Sequence, residues 1–238
     1  MALYREHAVV LRTHKLGEAD RIVVLYTRGR GKLRAVAKGV RKTTSRFGAR
    51  LEPTGHVALQ LYEGRELDTV TQAESVDQFP RLRTDLDRLA RAHALLEAVD
   101  QLAPERQPDA QVYAMLLGAL RTLAVRDHPL VVPAFFLKLL AHEGFRPVTD
   151  ACAACGETDG LAWFDLGEGG LLCDDHRRGT PVGPEAVVLL QLVLGGRLGE
   201  ALNQPGSPAG REVELLATRT LEHHLERRLR SVSVLDRG

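Results

Sequence analysis

The sequence lacks the features that mark secreted and membrane-spanning proteins. None of its apolar runs approaches the roughly 18 residues that a membrane helix needs. The start, MALYREHAVVLR, has charges at Arg5 and Glu6 and no apolar core of the kind found in signal peptides. The chain of 238 residues is 44% hydrophobic, which is typical of a folded globular protein. We therefore expect a cytoplasmic protein that does not insert into a membrane.

Motifs that carry catalysis are also missing. The chain contains no G-x4-G-K-[ST], no H-E-x-x-H and no G-x-S-x-G. Gly29-Arg30-Gly31-Lys32 resembles a phosphate-binding loop only superficially, because it lacks the upstream glycine and the Ser/Thr. No carboxylate cluster suggests a two-metal nuclease. We expect a binding or annealing protein without catalytic residues, not an enzyme.

Acidic residues are absent from one long stretch, RGRGKLRAVAKGVRKTTSRFGAR, which covers residues 28–50. The whole chain has a net charge of only +1, so this stretch is a basic head on a nearly neutral body. Such a density of like charge predicts a polyanionic partner, and nucleic-acid phosphate is the usual one. An ordinary solvated, arginine-rich surface is the alternative. The cations of the stretch are Arg28, Arg30, Lys32, Arg34, Lys38, Arg41, Lys42, Arg46 and Arg50.

The first 75 or so residues alternate apolar and polar side chains with the period of β-strands. Turn residues divide them into five predicted strands: His7 to His14, Arg21 to Thr27, Lys32 to Lys38, His56 to Tyr62 and Leu67 to Ala73. Five short strands favour a closed barrel of the OB-fold type, although an SH3-like barrel gives much the same pattern. In the third strand the alternation places Lys32, Arg34 and Lys38 on one face of the sheet.

After Asp77 the period changes to that of helices. We predict a barrel over residues 1–78, and an all-α domain over 79–238 that carries a metal-binding insertion at 148–182. The fold class is therefore α+β with more than one domain. Helices are predicted at Pro80 to about Val99, Ala110 to Val125, Leu130 to Glu143, Pro184 to Leu194, Leu198 to Asn203 and Arg211 to Arg230.

The three cysteines are clustered, and a histidine completes their pattern. Cys152 and Cys155 form a C-x2-C pair, and Cys173 and His176 form a C-x2-H pair. Two such pairs predict one tetrahedral structural Zn²⁺ site with no coordination position open for catalysis. Alternatives are a redox dithiol at Cys152 and Cys155, or a degenerate site without metal. Whether His176 or a neighbouring aspartate supplies the fourth ligand stays open at this point.

The layout of basic barrel, helical body and CAAC…CDDH insert resembles the RecO family of bacterial recombination mediators, which act in the RecFOR repair pathway. The segments YREHAVVLRTHKLGEADRIVVLYT and GKLRAVAKGVRKTTSRFGARLEP look like the amino-terminal barrel of that family, especially its actinobacterial type. The insert is similar too, although many family members have a fourth cysteine where this chain has His176. The resemblance covers nearly the whole chain.

The resemblance implies binding of single- and double-stranded DNA and annealing of complementary strands. It further implies association with RecR and with the C-terminal tail of single-stranded-DNA-binding protein (SSB), which promotes loading of RecA on gapped DNA. No short motif places the RecR or SSB-tail surface. The resemblance also implies a nucleoid-associated location.

We assign DNA contacts to cations of the barrel and its loops, which would bind phosphates without reading sequence. Phe47 and Tyr62 are candidates for base stacking, but a barrel core also needs aromatic residues. Rival hypotheses are a zinc-ribbon and barrel protein that binds RNA, a protein scaffold with a basic docking surface, and a thiol redox enzyme. The predicted DNA contacts are Arg12, Lys15, Lys32, Arg34, Lys38, Arg41, Lys42, Arg46 and Arg50.

Overall fold

A computed structural model describes residues 2–42, 45 and 47–231. These residues fold as two compact units. The first comprises residues 2–125 together with 230 and 231, and the second is Arg126–Leu229. The first unit thus contains helices as well as the barrel. The division predicted from sequence, at residues 78 and 79, stays a prediction.

The first unit begins with a closed five-stranded barrel in the order β1-β2-β3-β5-β4. Strand β3 pairs with β5 in parallel, while β4 lies between β5 and β1 and is antiparallel to both. This Greek-key closure is that of an OB-fold, so the predicted fold class is confirmed. The strands are β1 (Leu3–Leu16), β2 (Asp20–Thr27), β3 (Gly31–Ala37), β4 (His56–Tyr62) and β5 (Asp68–Asp77).

Alternating residues of the strands fill the barrel. Leu33, Ala35 and Ala37 of β3 point inward and are at most 1% exposed, which is the face that the alternation predicts. Phe47 and Leu51, from the connection between β3 and β4, join the same core. Phe47 is only 3% exposed, so it packs the barrel and does not offer its ring to a base, whereas Tyr62 is 45% exposed.

Three helices complete the first unit: α1 (Pro80–Arg83), α2 (Leu86–Leu102) and α3 (Ala110–Val125). The single helix predicted from Pro80 is wrong, because α1 ends at Arg83 and the backbone is extended at Asp85. The side chain of Asp85 then accepts a hydrogen bond from the backbone N–H of Arg88 and begins α2 as its N-cap. Residues 103–109 connect α2 to α3.

The second unit packs α4 (Val131–His142), α5 (Pro184–Leu194), α6 (Leu198–Ala201) and α7 (Pro208–Leu225) around a buried apolar core. Helix α7 contacts both α4 and α5. It begins three residues before the predicted start, because Ser207 caps it and Pro208 occupies its first turn. Within the described residues, no helix is both long enough and apolar enough to cross a bilayer.

Between α4 and α5 lies a small sheet of three strands in the order β7-β6-β8. Its members are β6 (Leu161–Asp165), β7 (Gly170–Cys173) and β8 (Thr180–Pro181). Strands β6 and β7 pair as an antiparallel hairpin. Gly170 is required by packing, because a Cβ there would lie 2.4 Å from the carbonyl oxygen of Val148. The sheet brings the two cysteine-containing turns together.

Candidate metal centre and nucleic-acid interface

The two predicted ligand pairs meet at one point in the second unit. The ligand atoms of Cys152, Cys155, Cys173 and His176 all lie within 4.8 Å of one another. The sulfur atoms of Cys155 and Cys173 are 3.8 Å apart, and Nδ1 of His176 lies 3.4 Å from the sulfur of Cys173 and 4.0 Å from that of Cys152. A tetrahedron with metal–sulfur bonds of about 2.3 Å has edges of roughly 3.8 Å. The cluster therefore has the size and donor set of a tetrahedral metal site.

Local backbone geometry creates this arrangement. The first turn closes when the N–H of Gly156 donates to the carbonyl of Cys152 at 2.8 Å, with Gly156 at a φ of 82°. The N–H of Ala153 donates to the carbonyl of Leu171, which ties this turn to β7. Cys173 ends β7, and a 3-10 turn over Asp174–His176 directs the imidazole back toward the sulfur atoms.

The chemistry of the donors suits a cation. Burial raises the pKa of the Cys152 thiol, but hydrogen bonds from the backbone of Cys173, Ala154 and Cys155 outweigh this effect and lower the pKa to about 6. The thiolate, which is the form that binds metal, is thus accessible at neutral pH. Asp174 is ion-paired with Arg177 at 3.3 Å, so among the described residues His176 completes the cluster and the aspartates do not.

The predicted DNA-contacting cations fall into two groups in the first unit. The strand cations, which are Arg12, Lys32 and Arg34, are ion-paired with acids of the same unit. Arg12 and Lys32 lie 2.6 Å and 3.7 Å from the carboxylate of Asp100 at the end of α2. Arg34 lies 3.1 Å from Glu105 in the connection that follows. The role of the strand cations as DNA contacts stays a prediction. Because these cations already pair with protein carboxylates, they are weaker candidates for DNA contacts than the exposed cations described next.

The second group, which we call the loop cations, lies at the end of β1 and in the turn after β3. Its members are Lys15, Lys38, Arg41 and Lys42, and all four side chains are exposed. Within the described part of the chain, no acidic group lies in ion-pairing range of Lys15, Lys38 or Lys42. Arg41 donates to the carbonyls of Gly17 and Glu18, and its backbone N–H donates to Ala19. This joins the β1–β2 turn to the loop after β3. The loop cations therefore share one end of the barrel.

Two further predicted DNA contacts, Arg46 and Arg50, follow the loop cations in the sequence. Arg50 donates from Nη1 to the carbonyl of Phe47 at 3.3 Å, inside the 3-10 turn Gly48–Leu51. Arg46 falls outside the described residues.

Sequence reasoning missed the acidic partners of the strand cations, because Asp100 and Glu105 are distant in sequence and lie in segments that the sequence predicts only as helix and linker.

Comparison with known families matches almost the entire chain. The family model "Recombination protein O N terminal" matches residues 1–79, and "Recombination protein O C terminal" matches residues 83–233. Together these matches cover both the barrel and the part of the chain that carries the metal cluster.

Full-length relatives give the same result. The chain is 46% identical to a protein of Nocardioides sp. (strain ATCC BAA-499 / JS614), over 99% of this chain and 100% of the relative. It is 42% identical to a protein of Streptomyces coelicolor over 100% of both chains. It is also 42% identical to a protein of Bifidobacterium adolescentis, over 99% of this chain and 100% of the relative. All three relatives are named "DNA repair protein RecO".

Proposed function

Because the chain belongs to the RecO family of DNA repair proteins, we propose that it is a non-enzymatic recombination mediator. It binds single- and double-stranded DNA and anneals complementary strands. With RecR it promotes loading of RecA onto single-stranded gaps coated with SSB. It acts in the cytoplasm at the nucleoid. Its direct partners are DNA, RecR and the C-terminal tail of SSB, and RecA is engaged indirectly.

The observation that carries the DNA-binding part of this proposal is the set of loop cations at one end of an OB-fold barrel. Lys15 lies at the end of β1, Lys38 and Lys42 lie in the connection after β3, and Arg41 of that connection is bonded to the turn after β1. OB-fold barrels commonly use strands 2 and 3 and the adjoining loops to hold oligonucleotides. Unpaired lysines at such a place favour contacts with phosphate, which position a strand without reading its bases.

Annealing follows from the same surface. Two complementary strands repel each other through their phosphates, and cations that neutralise these charges release condensed counterions. Bases need no specific contact for this effect, and the buried ring of Phe47 supplies none. The proposal therefore assigns annealing to charge neutralisation at the loop cations, with base stacking at most a minor contribution from the exposed Tyr62.

The metal cluster has a structural role in this proposal. Cys152, Cys155, Cys173 and His176 would hold one Zn²⁺, and all four positions of a tetrahedral site would be filled by protein. The ion would then stabilise the two turns that bear its ligands. It would leave no position for a substrate, which agrees with a mediator that performs no chemistry of its own.

The experiment is a salt titration of the full chain with fluorescent single-stranded DNA. Replacing Lys38 and Lys42 by Gln should weaken binding at low salt. The slope of log K against log salt should become shallower by roughly 0.7 for each lost phosphate contact. The matched control is the Arg81→Gln, Arg121→Gln variant, which removes the same charge from exposed helical positions of the same unit. The control should keep the wild-type slope.

Two results would overturn the proposal in different ways. If the wild-type chain does not bind DNA in dilute buffer, its function as a DNA-binding mediator is refuted. If the Lys38 and Lys42 variant binds with the wild-type slope, the loop cations are not the DNA site. Competition with RNA of the same sequence completes the test, since stronger binding of RNA would favour the rival RNA-binding function.

A further inference from the structure

The basic face of β3 is covered by an acidic strap, which we define as Asp100 in the last turn of α2 together with the following residues through Glu105. Asp100 lies against Arg12 and Lys32, and Glu105 lies against Arg34. Lys32 also donates a hydrogen bond to the backbone carbonyl of Asp100. Carboxylates of the protein thus occupy the places next to these cations that DNA phosphates would take.

The backbone of the neighbouring linker is fixed without help from the acidic side chains. The N–H of Arg106 donates to the carbonyl of Lys32 at 2.8 Å, and Glu105 forms a parallel β-bridge with Lys32. The linker packs so closely that a Cβ at Gly31 would lie 2.0 Å from the carbonyl oxygen of Gln107. The linker therefore pairs with the beginning of β3, before the positions at Ala35 and Val36 that pair with β5.

A buried ion pair adds a second anchor. The guanidinium of Arg106 lies 3.0 Å from Oδ1 of Asp68, whose side chain is 0% exposed. Asp68 also accepts hydrogen bonds from Tyr4 and from the N–H of Gly64. These contacts hold the linker on the barrel through residues other than Asp100 and Glu105. The carboxylates of the acidic strap are consequently not needed to keep it in place.

The cations under the acidic strap differ in how far they are open to solvent. The side chain of Lys32 is 13% exposed, whereas those of Arg12 and Arg34 are 50% and 45% exposed. Ion pairs that are exposed at both ends contribute little free energy, and of these pairs only Arg34–Glu105 is of that kind. The side chain of Asp100 is 15% exposed and pairs with Lys32 as well as Arg12, so it stays in place. An incoming phosphate can therefore replace the Glu105 carboxylate beside Arg34. Lys32 remains an internal anchor.

We propose that the acidic strap, through Glu105, competes with DNA for Arg34 and so limits the affinity of the barrel for polynucleotides. The proposal rests on the function proposed above and adds a regulatory element to the same site. In the free protein, Glu105 neutralises Arg34, while Asp100 holds Lys32 and Arg12. When a strand is bound at the loop cations, a neighbouring phosphate displaces the Glu105 carboxylate and extends the contact along the β3 face.

The test is the full-length Glu105→Gln variant, called the strap variant, which keeps the shape of the side chain and removes its charge. Asp100 is left unchanged, because it also pairs with Lys32. The affinity of the strap variant for single-stranded DNA at about 0.1 M salt should rise by about twofold to fivefold, as expected for release of one exposed pair. The slope of log K against log salt should steepen by roughly 0.7 when Arg34 gains a phosphate. Adding Arg34→Gln to this variant should cancel both gains.

The matched control is the Asp87→Asn variant, which removes one exposed acid of the same unit that does not pair with Arg12, Lys32 or Arg34. Asp87 lies 13 positions before Asp100 in α2, or about 20 Å along the helix, which exceeds the Debye length at 0.1 M salt. If the strap variant and the control have the same affinity and slope, competition by the strap is refuted, while DNA binding by the wild type is not. If neither the wild type nor the strap variant binds, both proposals are refuted.

Discussion

The barrel and the small sheet that carries the metal cluster are both β-structures, but we expect them to be stabilised in different ways. The barrel closes around a core of buried side chains from all of its strands, among them Val23, Leu25 and Leu33. The hydrophobic cluster at the metal centre has Cys152, Leu172 and Cys173 as its buried members among the described residues, although Phe164, Leu171 and Val182 of the same segment are buried too. The first structure can thus be stabilised by apolar burial alone. For the second, we expect the ligand cluster to add to a smaller apolar core.

The difference leads us to expect that a bound metal stabilises the short insertion. Complete burial of a large aliphatic side chain contributes roughly 1.5–3 kcal/mol, so the barrel core sums to a large favourable term. Two turns linked by a hairpin have fewer such contributions, and the free energy of metal binding would supplement them. The comparison predicts that the same treatment will affect the two regions unequally.

Loss of the metal should produce the largest difference in stability between the barrel and the sheet that carries the metal cluster. We expect about one zinc per chain, and we expect Cys173→Ser to abolish its retention and to unfold the segment 148–182. Structural zinc supplies about 10–16 kcal/mol of binding free energy in small domains, so a lost ligand cannot be compensated locally. Elemental analysis and amide hydrogen exchange measure the two effects. Exchange should accelerate in this segment and stay slow in the barrel strands.

The control for this experiment is Ala154→Ser, an exposed substitution in the same turn that keeps the backbone N–H and all ligands. It should retain the metal and the slow exchange. A chain that is expressed with ample zinc, carries no metal and still protects 148–182 from exchange would show that the cluster is degenerate. The sheet would then be stabilised by its apolar residues after all.

The second way to test the comparison is to weaken the barrel core and leave the metal centre intact. Leu33 is 1% exposed and lies at the centre of the barrel. Leu33→Ala should lower the free energy of unfolding of the first unit by about 2–5 kcal/mol, the cost of the lost burial and of the cavity. Urea denaturation measures this loss, and zinc content should stay at the wild-type value.

Val188→Ala is a suitable control, because Val188 is an exposed aliphatic residue of α5, 51% accessible to solvent. It should change the stability by less than about 0.5 kcal/mol. A loss of zinc in the Leu33→Ala protein would mean that the barrel core and the metal centre unfold together. The two regions would then not be independent.

The sequence predicts each of these regions to a different extent. The barrel strands are found because alternation of apolar residues has a period that no helix shares. Their ends are less well predicted: β1 begins at Leu3, four residues before the predicted start, because Tyr4, Arg5 and Glu6 pair with β4 although they are polar. Pairing with a distant strand, which the sequence does not reveal, determines that boundary.

The metal cluster is well predicted because its signal is local: ligand type and spacing fix the two turns, and the hairpin brings them together. The charged face of β3 is predicted correctly for Lys32 and Arg34, whereas Lys38 lies just after the end of the strand, and the surroundings of the face are not predicted. Asp100, at the end of a helix, and Glu105, in a linker, neutralise the cations of this face. No sequence pattern at either residue predicts this contact. Phe47 illustrates the same limit, since its burial depends on how the loop folds back.

The smallest predicted effect concerns pH and the barrel alone. His56 in β4 is 5% exposed, its Nε2 lies 2.9 Å from the hydroxyl oxygen of Tyr113, and its Nδ1 has no partner among the described residues. Burial lowers the pKa of His56 below 6.5, and repulsion from His7 and Arg121 adds to this, while Asp77 opposes it. The native state therefore holds His56 neutral where the unfolded chain takes up a proton.

It follows that stability of the first unit falls as pH drops from about 6.5 toward the pKa of native His56, because there the unfolded chain binds more protons. The His56→Gln variant replaces the imidazole with an uncharged amide that can still reach the Tyr113 hydroxyl. In this variant the loss of stability should be smaller, and the melting temperature at pH 5.5 should approach that at pH 8. His14→Gln, at an exposed position of β1, is the control and should keep the wild-type pH dependence. Thermal melts at both pH values, with hydrogen exchange read in β4, measure the difference. If His56→Gln loses as much stability as the wild type, His93 is the better candidate, since burial lowers its pKa too.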